Sequence, residues 1–355
     1  MQPIDYLNLI KGKNISFRVV QHALKLYNLP SARGWDPLLE HYRDIHDRDV
    51  GESLKKIYLS QLHYGERTIF FSQINESTER NITAVADTIK AIYRSSQHRD
   101  LAIYRDSFPL PLSQDALNVA FLNNPCPAEI DENEYQIKLF FTYPRVYKER
   151  TTIDVEDMDL NSPEMFPLLG FEEIIGVRSG RAQSFDCIVL NKITGGIQFH
   201  IDHSKNILKD DMEKAAIRYR HLLMDKYQEI NSELIPLNKV NIYQKIDELY
   251  NSNDGRIFNL EHATSTGSVK TEKMRKRVDD LRDERFHTAG LDAISGETNN
   301  FAITKQWDGG FGSNLKLTID GSISMVSNSN PFIDYATIEG CVSEDDFNLL
   351  ISKVL

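Results

Sequence analysis

Cysteine is scarce in this chain of 355 residues, which contains three: Cys126, Cys187 and Cys341. They are far apart, odd in number and never arranged as Cys-x-x-Cys. This usage excludes a disulfide framework and a thiolate zinc site of the usual spacing. It is typical of a protein kept in a reducing, intracellular compartment.

Long apolar runs are also missing. No stretch approaches the ~18 apolar residues that a helix needs to cross a bilayer. The segment 1–13 carries Asp5 early and has none of the apolar character of a signal peptide. We therefore expect a cytoplasmic protein that makes no membrane contact.

Complete catalytic motifs of the common kinds are absent as well. The chain has no full Walker, Rossmann, HExxH or kinase signature. The glycines of "WDGGFGSN" (307–314) lie between two predicted strands, so they indicate a hairpin turn and no phosphate loop. The carboxylates of "DVEDMDL" (154–160) lack the glycine and terminal glutamate of a calcium loop, which favours a surface loop.

The charge balance is acidic, with 41 Lys and Arg against 52 Asp and Glu, a net charge of −11. An even spread of this charge would repel nucleic acid, but binding needs only a local basic patch. Hydrophobic residues make up 41% of the chain, including 17 Phe and 15 Tyr, which argues against disorder.

Periodicity along the chain predicts an α+β fold. The range 1–125 is mainly helical, although "RTIFFSQI" indicates a strand within it. After the Pro- and acid-rich segment 124–134, a range 134–230 combines sheet with a helix from about 208 to 227. A range 240–355 is rich in antiparallel strands and either forms a third domain or packs with 134–230. Ser343 and Asp346 form a capping box that predicts a C-terminal helix.

The segment 184–205, "SFDCIVLNKITGGIQFHIDHSK", is predicted to be a β-hairpin with many polar side chains. A restriction-type nuclease core needs an Asp on one strand and Glu-x-Lys on the next, to hold Mg²⁺ and an attacking water. Here Asp186 is followed by Gln198-x-His200, so a weak neutral ligand and a histidine replace the Glu and Lys. Asp202 is a further candidate carboxylate. The alternative is an ordinary half-buried hairpin with a polar face.

Hairpin register decides between these interpretations. A two-residue loop at Gly195 and Gly196 would pair Leu190 with Ile201. Asp186 and His200 would then point to opposite faces of the sheet. An odd-length loop would bring them to the same face.

Two surfaces have a local excess of basic residues. The first combines Arg178 and Arg181 of "VRSGRAQS", predicted as a glycine-bearing loop, with Lys214, Arg218 and His221 on one stripe of the following helix. The second is the run 268–287, whose cations are Lys270, Lys273, Arg275, Lys276 and Arg277.

The second surface has a competing interpretation. Lysines keep the exposed edge strands of sheets from aggregating. The acidic end of the run is predicted to form a helix in which Asp279 pairs with Arg282.

These observations favour a non-catalytic subunit that binds nucleic acid or a protein partner in a multi-component cytoplasmic system, such as prokaryotic antiviral defence. Such a protein needs no cofactor. The first alternative is a metal-dependent nuclease that uses Asp186, His200 and Asp202 with Mg²⁺. The second is a scaffold that binds another protein through a sheet edge.

Overall fold

The computed structural model of the chain describes residues 1–13, 15–95, 102–119, 124–153, 173–203, 209–265, 267–294 and 298–355. This part of the chain has the α+β fold that the sequence predicts, with helices around one antiparallel sheet. The acidic segment 154–160 lies outside the described residues. In the described ranges, no helix has both the length and the apolar character required to span a lipid bilayer.

The described residues form twelve α-helices and eleven strands. The helices are α1 (Pro3–Gly12), α2 (Phe17–Leu26), α3 (Trp35–Tyr42), α4 (Arg48–Tyr64), α5 (Glu79–Ser95), α6 (Ala102–Ser107), α7 (Gln114–Val119), α8 (Lys209–Asn231), α9 (Lys245–Asn251), α10 (Arg285–Ala293), α11 (Ile323–Val326) and α12 (Glu344–Ser352). The strands are β1 (Arg67–Ile74), β2 (Cys126–Glu132), β3 (Gln136–Ile153), β4 (Ile174–Asn191), β5 (Gly196–Asp202), β6 (Leu237–Lys239), β7 (Arg256–Thr264), β8 (Val269–Lys273), β9 (Thr298–Asp308), β10 (Asn314–Asp320) and β11 (Tyr335–Glu339).

The strand order in the sheet is β2-β3-β4-β5-β1-β11-β10-β9-β7-β8, with β6 paired to the end of β1. β1 is therefore central, although it comes from the mainly helical range 1–125. Almost every residue of β1 is buried, as expected for a strand covered on both faces. The sheet crosses all three ranges predicted from the sequence, and the domain boundaries at 125–134 and 230–240 stay predictions.

Helices cover both faces of the sheet. On one face the ring of Tyr219 in α8 lies 4.8 Å from Phe141 of β3. On the other face Phe185 of β4 belongs to the apolar cluster formed by α1 to α4. The ring of Phe347 in α12 lies 5.4 Å from His200 on that second face. The side chains of Asp186, His200 and Asp202 are thus enclosed between these layers.

The hairpin loop is longer than the predicted two residues. Leu190 pairs with Ile197, so the turn runs from Lys192 to Gly195. Asn191 stabilises it, because its side-chain oxygen accepts hydrogen bonds from the backbone N–H groups of the second and third following residues at 2.9 Å each. The loop length is even, so of the two arrangements that the sequence leaves open, the one with Asp186 and His200 on opposite faces is observed.

The predicted loop at 178–181 is wrong. These residues lie within β4 and pair continuously with β3. Gly180, the glycine that suggested a loop, and the neighbouring Gly176 serve cross-strand packing instead. A Cβ atom on Gly180 would lie 2.6 Å from the Tyr147 ring, and one on Gly176 would lie 2.8 Å from Ile153. Large side chains of β3 thus occupy the space above both glycines.

Two predictions near the C-terminus are confirmed. The 307–314 segment is the connection between β9 and β10. Ser343 caps α12 by accepting a hydrogen bond from the N–H of Asp346 at 3.2 Å. The carboxylate of Asp346 does not complete the capping box. It accepts from the N–H of Val342 at 3.0 Å and of Gly310 at 3.2 Å, which ties α12 to the β9–β10 connection.

Candidate functional site

Asp186 and His200 lie on opposite faces of the sheet. Cys187, the residue after Asp186, pairs directly with His200, so these two share a face. Side chains alternate along a strand, which places Asp186 on the face covered by α8. The hairpin therefore does not gather its polar groups into one site.

Asp186 is fully buried and saturated with hydrogen-bond donors. One oxygen accepts from Arg145 and from the hydroxyl of Tyr219, the latter at 2.7 Å. The other accepts from the backbone N–H of Asp202 at 2.8 Å. Burial and the charge of Asp186 raise the pKa of Tyr219 well above its usual value, so the phenol stays a donor. Buried charges of this kind must be paired. Arg145, Tyr219 and the backbone of Asp202 supply the partners of Asp186.

Asp202 has a similar structural role on the other face. Its carboxylate accepts from the N–H of Phe185 at 3.1 Å and forms an ion pair with Lys13 of α1 at 3.2 Å. Burial lowers the pKa of Lys13, an effect that the charge of Asp202 partly opposes. Arg145 also donates to the backbone carbonyl of Asp202 at 3.1 Å. The two aspartates thus hold α1, β3, β4, β5 and α8 together.

His200 lines a pocket on the second face, where its Nε2 lies 2.8 Å from the side-chain oxygen of Gln198. Burial lowers its pKa to about 3, so the imidazole is neutral. Within the described ranges, no group of three or more His, Cys, Asp or Glu is arranged to hold a metal ion. The geometry consequently gives no support to a metal site shared by Asp186, His200 and Asp202.

A two-stranded ribbon extends from the sheet beyond this buried network. β3 and β4 pair along their whole length, from Gln136 and Asn191 to Ile153 and Ile174. The neighbouring strands end early, since β2 pairs with β3 only as far as Thr142. The remainder of β3, from position 143 to its end, corresponds to ~33 Å of ribbon.

One face of this ribbon is exposed and basic, and we name it the ribbon face. Its side chains alternate along the two strands and belong to Val146, Lys148, Arg150, Thr152, Ile175, Val177, Ser179 and Arg181. Three of them are cations, in a chain whose net charge is −11. A carboxylate lies at the outer end of this face, where Glu173 accepts a hydrogen bond from Thr152 at 3.3 Å. Arg181 also donates to the backbone carbonyl of Asn118 at 3.0 Å, so it is held in place by α7.

The opposite face of the ribbon is electrically neutral. Arg178 lies on it and donates to the carboxylate of Glu149 at 2.7 Å. The two basic residues predicted from one loop are therefore divided, with Arg181 on the ribbon face and Arg178 behind it. Ion pairing leaves Arg178 with little free charge to offer a ligand.

The three residues of the basic stripe predicted on α8 differ in their exposure and in the contacts that they make. Lys214 is exposed and lies 3.6 Å from Asp211. The guanidinium of Arg218 stacks over the ring of Tyr143, 4.8 Å from its centroid. His221 is exposed on the same helix. α8 covers the face that carries Tyr143 and Arg178, so this stripe and the ribbon face lie on opposite sides of the sheet.

The first part of the run 270–277 lies on β8, at the far edge of the sheet, and Arg275, Lys276 and Arg277 follow this strand. β8 is the last strand of the sheet and pairs on one side with β7, which fits the edge-strand interpretation. Lys273, Arg275, Lys276 and Arg277 are exposed, whereas Lys270 is half-buried opposite His262. The predicted pair of Asp279 with Arg282 is wrong. Arg282 pairs with Asp280 at 2.6 Å, because a 3-10 turn and not an α-helix occupies Leu281–Asp283.

Lys148 and Arg150 were not identified as binding candidates from the sequence. The signal that could have found them is the Lys-x-Arg spacing, which puts both cations on one face of a strand. The sequence did not reveal that β3 extends beyond the flanking strands β2 and β5, which leaves Lys148 and Arg150 exposed.

No protein family matches this chain, and no curated protein matches its sequence significantly. The functional interpretation consequently depends on the geometry described above.

Proposed function

We propose that the protein binds nucleic acid through the ribbon face, as a non-catalytic subunit of a multi-component cytoplasmic system. The observation that carries this proposal is the concentration of the exposed Lys148 and Arg150 and the half-buried Arg181 on one face of the ribbon. The one carboxylate that contacts this face among the described residues is Glu173, at its outer end. Phosphate contacts by such cations supply most of the sequence-independent affinity for nucleic acid.

The shape of the ribbon supports a groove as the binding surface. The major groove of B-form DNA is ~12 Å wide and admits a two-stranded β-ribbon. Lys148 and Arg150 are two residues apart on β3, which separates them by ~6.6 Å along the strand. Ser179 adds a hydroxyl between the cations, and the apolar Val146 and Val177 are available to contact thymine methyl groups.

The basic edge at 270–277 is too distant to join the ribbon face in one compact site. In the strand order, β8 lies seven positions from β4, or ~34 Å at the usual strand spacing. We therefore assign its lysines and arginines to protection of the sheet edge and place the principal contact on the ribbon.

The direct test is fluorescence anisotropy with labelled duplex DNA, single-stranded DNA and RNA at low salt. The variant Lys148→Ala/Arg150→Ala should weaken binding about tenfold or more. The matched control, Lys25→Ala/Lys56→Ala, removes the same charge from exposed helix positions of α2 and α4 and should bind like the wild type. Equal affinity of both variants, or no binding by the wild type, would refute the proposal.

A protein partner is the second candidate function, because three apolar side chains of the ribbon face are exposed. Val146 is 61% exposed, Val177 57% and Ile175 55%. A partner held by these residues would bind with weak dependence on salt. The nuclease alternative, with its Mg²⁺, gains no support from the positions of Asp186, His200 and Asp202.

A further inference from the structure

A pocket of about 170 Å³ lies on the second face of the sheet, between the 184–205 hairpin and α12. It is distinct from the ribbon face, and it does not depend on the proposed function. Its volume is below the ~300–1,000 Å³ of sites that enclose a drug-sized ligand, so it can admit one ring system and no more.

The walls of the pocket are aromatic. The rings of His63 and Phe140 stack with centroids 4.6 Å apart and planes 23° apart. On the side of α12, Phe347 lies 5.4 Å from the ring of His200. Aromatic walls of this kind favour a flat ring as the occupant.

The two histidines and the cysteine of the pocket are neutral at pH 7. Burial lowers the pKa of His63 to about 4, and the charges of Arg67 and Lys138 act in the same direction. His200 is neutral for the same reason, and burial raises the pKa of the Cys187 thiol to about 12. These three side chains therefore offer hydrogen bonds to a ligand and carry no charge.

Carboxamides supply most of those hydrogen bonds. Since Gln198 accepts from the Nε2–H of His200, its amide NH₂ group is left to donate. Among the described residues, the side-chain amides of Gln136 and Asn348 make no hydrogen bond, although both line the pocket. Glutamine and asparagine amides pair in bidentate fashion with the N6 and N7 positions of adenine.

Lys138 is the one cation that lines the pocket in the described part of the chain. Its ammonium group is held loosely, 3.4 Å from the hydroxyl of Tyr64 and 3.6 Å from the half-exposed Glu344. Both distances are longer than that of a strong hydrogen bond. The ammonium group of Lys138 can therefore leave these partners and contact an anionic group on the ligand.

We infer that this pocket binds the base of a nucleotide, with adenine preferred, and that Lys138 contacts the phosphate. The aromatic walls stack on the base, and the amides of Gln136, Gln198 and Asn348 read its edge. The base can come from a free mononucleotide or from a nucleic-acid strand, and the experiment separates these sources.

Isothermal titration calorimetry with AMP is the first measurement, with adenosine and ribose 5-phosphate as ligands that lack the phosphate and the base. AMP should bind more tightly than either. Gln136→Leu and Asn348→Leu should each weaken AMP binding about tenfold, a change of ~1.4 kcal/mol. The control Gln228→Leu, an exposed glutamine of α8, should leave it unchanged. Lys138→Met should reduce the affinity for AMP to that for adenosine.

DNA that contains 2-aminopurine tests whether the pocket takes its base from a nucleic-acid strand. The 2-aminopurine fluorescence should change on binding to the wild type and not on binding to the Asn348→Leu variant. AMP binding would remain in Lys148→Ala/Arg150→Ala, whichever source applies, so this result is separate from that of the proposed function. Equal binding of ribose 5-phosphate and AMP, or neither AMP binding nor a 2-aminopurine signal, would overturn the inference.

Discussion

Asp186 and His200 belong to one hairpin, yet they face opposite sides of the sheet. Asp186 accepts a hydrogen bond from the N–H of Asp202 at 2.8 Å under α8, and His200 lies 2.8 Å from Gln198 in the pocket beside α12. The apparent cluster of catalytic groups is therefore a buried ionic network on one side and a neutral pocket on the other.

The first prediction concerns that network. Asp186→Ala leaves Arg145 and Tyr219 buried without their partner, which should lower the free energy of unfolding by ~3–5 kcal/mol. Urea denaturation measures the change. Asp225→Ala, at an exposed position of α8, should stay within ~0.5 kcal/mol of the wild type. Unchanged stability of the Asp186 variant would show that the network has no structural role.

The second prediction compares two glycines. Gly340 has a φ of +85°, and a Cβ atom there would collide with the backbone carbonyl of Asn314. Gly340→Ala should therefore destabilise the protein by at least ~2 kcal/mol. Gly290 lies exposed in α10 with open space around it, so Gly290→Ala should stabilise by ~0.5–1 kcal/mol. Thermal unfolding of both variants should show shifts of opposite sign.

The third prediction concerns pH. Burial and the charge of Glu339 raise the pKa of Glu66 from 4.5 to about 7, although Lys316 opposes this. The folded state thus retains a proton that the unfolded state releases, so stability falls as the pH rises from about 4.5 through about 7.

Glu66→Gln should remove this part of the pH dependence and stabilise the protein at pH 8 by up to ~3 kcal/mol. Denaturation of the variant and the wild type from pH 5 to pH 8 gives the difference. Glu52→Gln, at an exposed position of α4, should keep the profile of the wild type. A difference that does not vary with pH would contradict the role of Glu66.

The fourth prediction concerns the basic edge. Lys273→Ser/Lys276→Ser removes exposed charge from the last strand of the sheet and its continuation, which should promote association between sheet edges. Light scattering coupled to size-exclusion chromatography should detect the larger species. The affinity for duplex DNA should fall less than it does in Lys148→Ala/Arg150→Ala, the ribbon variant. A larger fall would show that the principal DNA contact lies at this edge.

Elements with strong local signals could be predicted from the sequence. The strand β1 and the helix α12 with its Ser343 cap follow from short-range periodicity. The separation of Asp186 from His200 depended on a loop length that the sequence leaves open. The strand at 178–181 could not be predicted, because the glycine that suggests a loop, Gly180, is explained only by the side chain of Tyr147 on the neighbouring strand.

Contacts between residues far apart in the chain could not be predicted from the sequence either. The ion pair of Lys13 with Asp202 joins residues 189 positions apart, and that of Arg145 with Asp186 joins residues 41 apart. Local periodicity carries no information on such pairs. The ribbon face was missed for the same reason, since its exposure depends on where the neighbouring strands end.

The salt dependence of duplex binding tests the ribbon face most directly. Each phosphate contact adds ~0.9 to the slope of log K against log salt concentration. If Lys148 and Arg150 each contact a phosphate, Lys148→Ala/Arg150→Ala should reduce this slope by ~1.8, and Lys25→Ala/Lys56→Ala should not. Equal slopes for the wild type and the ribbon variant would contradict a nucleic-acid contact at this face.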